Sequence, residues 1–416
     1  MKAGAHRERR RLKYAATIND EALPETTDAG QELQYIDIGN VDSTGTVHEI
    51  ARYKFEKAPS RARRIVRHGD VIISTVRTYL QAIAPILDPP ENLIVSTGFA
   101  VARPNRELLD TGYFKYALRE PRFLWEVEAR SSGISYPAIN SSELGDIRVE
   151  LPPLAEQRIV AEFLDAETSR IDALMAEKER MLALLEDKRA SQISRAVTRG
   201  LNPQALFKHS DLEWLGDIPK HWALRRCANL FTEIDERNEP ALPLLNVSLN
   251  TGVTVRMFSD ERIESVAEDF ANYKVAREAD LVFNKMRFWQ GAAGIAPQDG
   301  LTSPDYTVAR IGADLFPPFV ELLFRIPQFS AEVRRYSHGM VDDRLRLYWD
   351  EFKIIRIPVP PIAEQRTIVT YLAAEKERTA ELEKSLRDSI TLLHERRRAL
   401  ITAAVTGQID AKALNA

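Results

Sequence analysis

Two kinds of pattern alternate along this chain. From Leu154 to about Thr198 apolar residues recur at Val160, Leu164, Ile171, Leu174, Leu182, Leu185 and Ile193, close to the alternating three- and four-residue steps of one helix face. The stretch contains no proline or glycine and is rich in the good helix formers Ala, Glu, Leu, Arg and Lys. A second stretch places Ile368, Leu372, Leu382, Leu386, Ile390, Leu393 and Leu400 in the same way. Pro152-Pro153 and Pro360-Pro361 suit helix entry, where the missing N–H costs nothing, and Gly200 and Gly407 suit the exits. About 45 residues at about 1.5 Å each predicts two rods of order 65 Å. A rod with a narrow apolar stripe needs a partner, most simply the other rod in an antiparallel coiled-coil pair. Lys178 and Arg189, then Thr379 and Arg397, interrupt the two seams and leave surface for other subunits.

Between the rods the pattern shortens. Val71 to Val76, Leu93 to Val95, Phe99 to Ala102 and Ile147 to Leu151 are β-branched runs bounded by Gly, Pro, Asn or Asp, as are Leu244 to Ser248, Leu281 to Phe283, Thr307 to Ile311 and Ile354 to Val359. Short helices are predicted at 112–118 and 319–324. Each globular stretch therefore reads as a mixed α/β domain with a curved sheet.

The two halves are copies. Leu151-Pro-Pro-Leu-Ala-Glu-Gln-Arg158 returns as Val359-Pro-Pro-Ile-Ala-Glu-Gln-Arg366, 208 positions on, without a gap to Ala196-Val-Thr198 and Ala404-Val-Thr406. Upstream, Gly69 to Arg77 parallels Ala279 to Arg287, Ser96 to Arg103 parallels Ser303 to Arg310, Ser132-Gly133 parallels His338-Gly339, and Leu144 to Val149 parallels Phe352 to Ile357. So long a period excludes a solenoid and predicts a duplicated domain-plus-helix with a pseudo-two-fold relation. The expected layout is a globular domain at 1–151, a helical spacer at 152–200, a linker at 201–212, a second globular domain at 213–359, a second spacer at 360–407 and a tail at 408–416.

Composition changes this picture little. The 416 residues are 44% hydrophobic and 28% charged, and the single cysteine, Cys227, excludes an internal disulfide. The basic start lacks a following apolar run and no stretch is long enough to span a membrane, so a cytoplasmic protein is expected. The net charge of −4 hides two basic clusters: His6, Arg7, Arg9, Arg10, Arg11 and Lys13, then Arg61, Arg63, Arg64, Arg67 and His68. No phosphate-cradling glycine loop and no metal-ligand spacing is present. Asp88-Pro-Pro-Glu91 lacks the ring that a base-flipping methyltransferase stacks on its target. Pro304-Asp305 with Glu351-Phe-Lys353 imitates a nuclease set, but the first copy has Thr97-Gly98 and Glu143-Leu-Gly145 there. No catalytic residues and no metal are therefore assigned, and the chain is expected not to be an enzyme.

At the Pro-Pro-x-Ala-Glu-Gln-Arg helices the sequence resembles the specificity subunits of type I restriction–modification systems. The resemblance extends to Trp214-Leu-Gly-Asp-Ile-Pro-Lys-His-Trp222, to Asp70 to Arg77 and Asp280 to Arg287, and to Ala404-Val-Thr-Gly407. One departure is that the first half lacks the Trp-x-x-Ile-Pro-x-x-Trp prelude. The resemblance implies two target-recognition domains, each reading one half of a split site in double-stranded DNA, on helices that dock two modification (methyltransferase) subunits. It implies no cofactor in this chain, S-adenosylmethionine in the modification subunits, and ATP and Mg in a restriction subunit. The alternative is a coiled-coil scaffold that assembles other subunits without reading DNA.

Base edges are read by side chains that donate and accept at loops and strand ends. The candidates are Arg77, Thr78, Tyr79, Gln81, Ser131, Ser132, Ser135 and Tyr136 in the first half. In the second they are Lys285, Arg287, Phe288, Trp289, Gln290, His338, Asp342, Asp343 and Arg344. Arg61, Arg63, Arg64 and Arg67 are candidates for phosphate. The resemblance makes Glu156, Gln157, Arg158, Glu364, Gln365 and Arg366 the subunit-docking motif.

Overall fold

A computed structural model describes residues 8–256, 270–339 and 345–409. The chain divides into two compact units, Met1–Glu179 with Arg387–Ala416, and Arg180–Leu386. Each is a mixed α/β body that includes part of both long helices.

In unit 1 a four-stranded antiparallel sheet runs in the order 16–18, 99–104, 71–74, 83–85, and a second runs 51–54, 32–36, 93–96, 62–65 with one parallel pair, 32–36 on 93–96. Val71 and Ile73 face one core while Ile72 faces another, and Ala100, Val101 and Ala102 alternate likewise. A strand buried on both faces carries no polar alternation, hence the unbroken apolar runs. One core lies between the sheets; the other is closed by helices α1 (Thr111–Ala117) and α2 (Pro121–Ala129). A one-turn helix α3 (Ser141–Gly145), capped by Asn140, leads to the strand Arg148–Glu150 and then to α4 (Leu154–Arg199).

Unit 2 repeats the plan. Strands 231–234, 306–311, 281–284 and 293–295 form its four-stranded sheet in the equivalent order, and α5 (Pro317–Phe324) and α6 (Pro327–Tyr336) cover it. The parallel pairing survives as a bridge between Leu244 and Leu301. After the four-residue α7 (Trp349–Phe352) comes α8 (Ile362–Val405). The single curved sheet expected for each half is thus several sheets enclosing a second core.

Both long helices end as their sequences require: Gly200 (φ 72°) and Gly407 (φ 76°) take the left-handed conformation that terminates a helix. In unit 1 the start of α4 meets the end of α8, with Val160 and Leu164 packing in one core with Ile401 and Val405, and Arg397 pairing with Asp172 at 2.8 Å. In unit 2 the end of α4 shares a core with the start of α8, Ala196 and Val197 with Ile368 and Leu372. Within each unit the helices therefore run antiparallel.

The basic start of the chain is structural. Arg9–Arg11 is a strand paired with Arg148–Glu150, the counterpart of Ala223–Arg226 on Arg356–Val359. Arg9 pairs with Glu150 at 3.0 Å, Arg10 with Glu8 at 2.7 Å, and Lys13 with Asp146 at 2.7 Å, so these members of the cluster are matched internally, while His6 and Arg7 lie outside the described residues. The first half keeps the strand that follows the missing prelude. In unit 2 that prelude closes the core: Trp222 is buried and its indole N–H donates to Glu364 at 3.1 Å. The stretch read as a linker contains a strand, Phe207–His209, paired with Asp217–Pro219.

Candidate nucleic-acid interface

In unit 1 the chain leaves the central strand at Ser74 and makes a 3-10 turn, Thr78–Leu80, flanked by Arg77 and Gln81, both in the left-handed region at φ 51°. For residues other than glycine that conformation is strained, and such strain persists where surroundings enforce it, often at functional sites. Here the surroundings are a second loop, 131–139. Ile139 N–H donates to Thr75 C=O at 2.9 Å, and Val76 bridges Ala138. Thr78 Oγ1 donates to Ser131 Oγ at 2.7 Å, and Ser131 Oγ donates to Val127 C=O at 2.7 Å, a hydroxyl chain that ties both loops to α2. Gln81 Nε2 donates to Glu128 at 2.6 Å. The Arg77 guanidinium lies over the Tyr136 ring, 4.9 Å from its centroid. Residues far apart in sequence thus form one surface on which Arg77, Tyr79, Ser132, Ser135 and Tyr136 are exposed. Tyr79 is 55% exposed, not core.

Unit 2 builds the same junction from different side chains. The turn Phe288–Gln290 follows the strand, and Leu347 N–H donates to Lys285 C=O at 2.8 Å, as Ile139 does to Thr75. His338 and Arg346 exchange two backbone hydrogen bonds of 2.9 Å, as Ser132 and Ala138 do. Arg287, Gln290 and His338 are exposed and Lys285 is half-buried. Trp289 is half-buried, its indole N–H donating to Met286 C=O at 2.9 Å and the Arg334 guanidinium resting over its ring. Phe288 corrects the sequence reading: it is 0% exposed and stacks on Phe283 at 4.7 Å, so it anchors the turn and cannot touch a base. Asp342, Asp343 and Arg344 lie outside the described residues.

The phosphate candidates separate. Arg61 is exposed. Arg67 is also exposed but holds Glu21 through two bonds of 2.6 and 3.0 Å. Arg63 lies over the Phe55 ring at 4.8 Å, and the Arg64 Nε is buried on its strand. Of the four, Arg61 is the best placed to meet a phosphate.

The repeated helix motif does a different job from the one its polarity suggests. Gln157 is completely buried: its Oε1 accepts from Asp110 N–H at 2.8 Å, and its Nε2 donates to Leu108 C=O at 2.8 Å and Pro152 C=O at 2.7 Å. Gln365 is equally buried and repeats all three bonds with Phe316, Asp314 and Pro360, at 2.7, 2.8 and 2.8 Å. Asp110 and Phe316 are the residues that precede the first turns of α1 and α5. Both glutamines therefore join the long helix to its own domain and present nothing to a partner. Glu364 likewise faces inward, taking Trp222 and His221. Arg158 and Arg366 remain exposed, Arg366 over the Phe316 ring at 4.4 Å, and Glu156 is half-buried.

The remaining repeated motifs are also structural. Asp70 accepts two bonds of 2.9 Å from Arg103 and one from Arg67 N–H, and Asp280 does the same with Arg310 and Arg277 N–H. Among the described residues no cluster of His, Cys, Asp or Glu could hold a metal ion, and no helix is long and apolar enough to cross a membrane.

Residues 32–182 match the family model of the type I restriction modification DNA specificity domain. The chain is 21% identical over 328 residues to the type I restriction enzyme EcoKI specificity subunit of Escherichia coli, covering 75% of this chain and 68% of that protein. It is 21% identical over 342 residues to the MjaVIII specificity subunit of Methanocaldococcus jannaschii, covering 77% and 76%. Residues 32–182 thus match a DNA specificity domain, and the chain is similar to type I specificity subunits over about three quarters of its length. Its fold is that of a chain from a structure of complex assembly in the type I R-M system, with a TM-score of 0.72, 23% identity and coverage of 98% and 100%. The HsdS subunit of Thermoanaerobacter tengcongensis is similar over 98% and 99% at a TM-score of 0.50 and 22% identity. These structural likenesses speak for the fold.

Proposed function

We propose that each unit of this DNA specificity subunit reads one half of a split duplex site. Unit 1 does so through loops 77–81 and 131–139, and unit 2 through 285–290 and 338–346. The carrying observation is that one backbone junction between these two loops is built twice, by Ile139 on Thr75 and Leu347 on Lys285, while the side chains it displays differ. A conserved frame with divergent display is what two unlike half-sites need. Arginine suits guanine, glutamine suits adenine and hydroxyls suit either. The chain performs no chemistry on this reading. Methyl transfer belongs to two modification subunits that bring S-adenosylmethionine, and ATP with Mg serves a restriction subunit. Their docking surface on the long helices includes Glu156, Arg158 and Arg366.

The test is selection of random duplexes by the chain assembled with its modification subunits, followed by sequencing. A split motif with an uncontacted spacer is expected. Enrichment of no motif would instead leave a scaffold that only assembles other subunits. The lengths of α4 and α8, 46 and 44 residues, set the spacer between half-sites. Inserting one helical turn into either helix is expected to change the preferred spacer, and unchanged spacing would refute the ruler.

A further inference from the structure

Among the described residues the most exposed large apolar side chain is Ile134, at 105% as open as in an extended peptide. It sits at the tip of a loop that is not slack. Ser132 and Ala138 exchange two backbone hydrogen bonds of 2.9 Å, an isolated bridge that closes a narrow loop, and Ile139 N–H fixes the base of that loop to Thr75 C=O. Gly133, at φ 116°, makes the turn, and a Cβ there would come within 3.0 Å of Tyr136 C=O. The β-branched side chain adds stiffness at χ1. Tyr136 on the same tip carries the Arg77 guanidinium. A rigid finger thus ends in an aliphatic group that no part of its own domain covers.

The shape of the finger selects its groove. Two backbone arms joined by such a bridge lie about 4.8 Å apart before side chains are counted. A finger of two such arms with side chains on both fits the major groove, about 12 Å wide, better than the minor groove of about 6 Å. On the major-groove edge of the four base pairs the apolar group is the thymine C5 methyl. The geometry points to Ile134 as the residue that selects a thymine in the half-site of unit 1, by packing on that methyl. This rests on the reading of unit 1 as a DNA-contacting domain.

The experiment uses the full chain assembled with its modification subunits and the duplex motif found by selection. Each thymine of the unit 1 half-site is replaced in turn by deoxyuridine, which removes only the methyl. At one position affinity is expected to fall about four-fold, the worth of one buried methyl. With Ile134→Ala, affinity for the unmodified site falls by a similar factor and the deoxyuridine penalty at that position disappears. If no thymine shows a penalty that depends on residue 134, or the half-site has no thymine, the assignment is overturned while the motif stands. If the complex enriches no motif, the DNA reading itself falls.

Discussion

Gln157 and Gln365 make the same three hydrogen bonds to equivalent backbone groups, with lengths that agree within 0.1 Å. Arg77 and Arg287, by contrast, stand at equivalent loop positions in different settings. The first is left-handed at φ 51° with its guanidinium over Tyr136; the second lies at φ −129° before a turn that carries Phe288 and Trp289 in place of Thr78 and Tyr79. The two places face opposite demands. The glutamine must join a helix to a domain, and a buried amide with four hydrogen-bonding sites has one good arrangement there. On the proposed function the loop must recognise whatever sequence its half-site presents, so only its backbone frame is held. Duplication has kept the joint and released the display.

The sharpest way to break that contrast is at the joint. Replacing Gln157 or Gln365 by leucine fills a similar volume but strands one buried N–H and two buried carbonyls. Each substitution is expected to cost about 3 kcal/mol or more. Chemical denaturation of the assembled chain would measure it, and the two values should agree within about 1 kcal/mol. A variant that loses less than about 1 kcal/mol would show that the glutamine is not the joint. The motif would then return to being a docking surface, with loss of modification-subunit binding as its signature.

Next in size comes the display. Arg77→Ala is expected to relax selectivity only in the half-site of unit 1, and Arg287→Ala only in that of unit 2, each by about 1–3 kcal/mol at one position. Selection followed by sequencing reads this directly. If either variant blurred both half-sites, the division of labour between the units would be wrong. Phe288→Leu makes the converse case. Because Phe288 packs among Phe283, Phe324, Phe329 and Phe352, it should lower stability by about 1–2 kcal/mol and weaken binding without changing which base is preferred.

These cases also mark what the sequence made legible. The long helices could be read because 45-residue runs without proline or glycine, ended by Gly200 and Gly407, admit few alternatives. The strands could be read because both-face burial leaves unbroken β-branched runs. Periodicity says nothing, however, about a single turn after a strand, so Phe288 and Trp289 looked alike although one is core and the other borders the surface. The resemblance put Gln157 in a docking motif, but its burial depends on Leu108 and Asp110, about 50 positions away, which no local pattern reveals. Ile134 carried no signal in the sequence: a lone isoleucine among serines does not say which way it points, and only the Ser132–Ala138 bridge sets it at an open loop tip.

The smallest expected effect compares two arginines of the first half that composition cannot separate. Arg61 is exposed and has no side-chain ion pair among the described residues, whereas Arg67 is held by Glu21. A phosphate contact releases about one counterion, so Arg61→Ala should weaken binding evenly across sequences and reduce the salt slope by about one. Arg67 must give up Glu21 before it can meet a phosphate, so Arg67→Ala should leave the slope nearly unchanged. Glu21→Gln then becomes the informative partner: freeing the Arg67 guanidinium should steepen the slope if it faces the DNA. A flat response in Glu21→Gln together with a full unit lost in Arg61→Ala would confine the phosphate contact to the Arg61 end of this strand. Equal slopes for both alanine variants would mean that the ion pair opens in the complex and that the cluster acts as one basic patch.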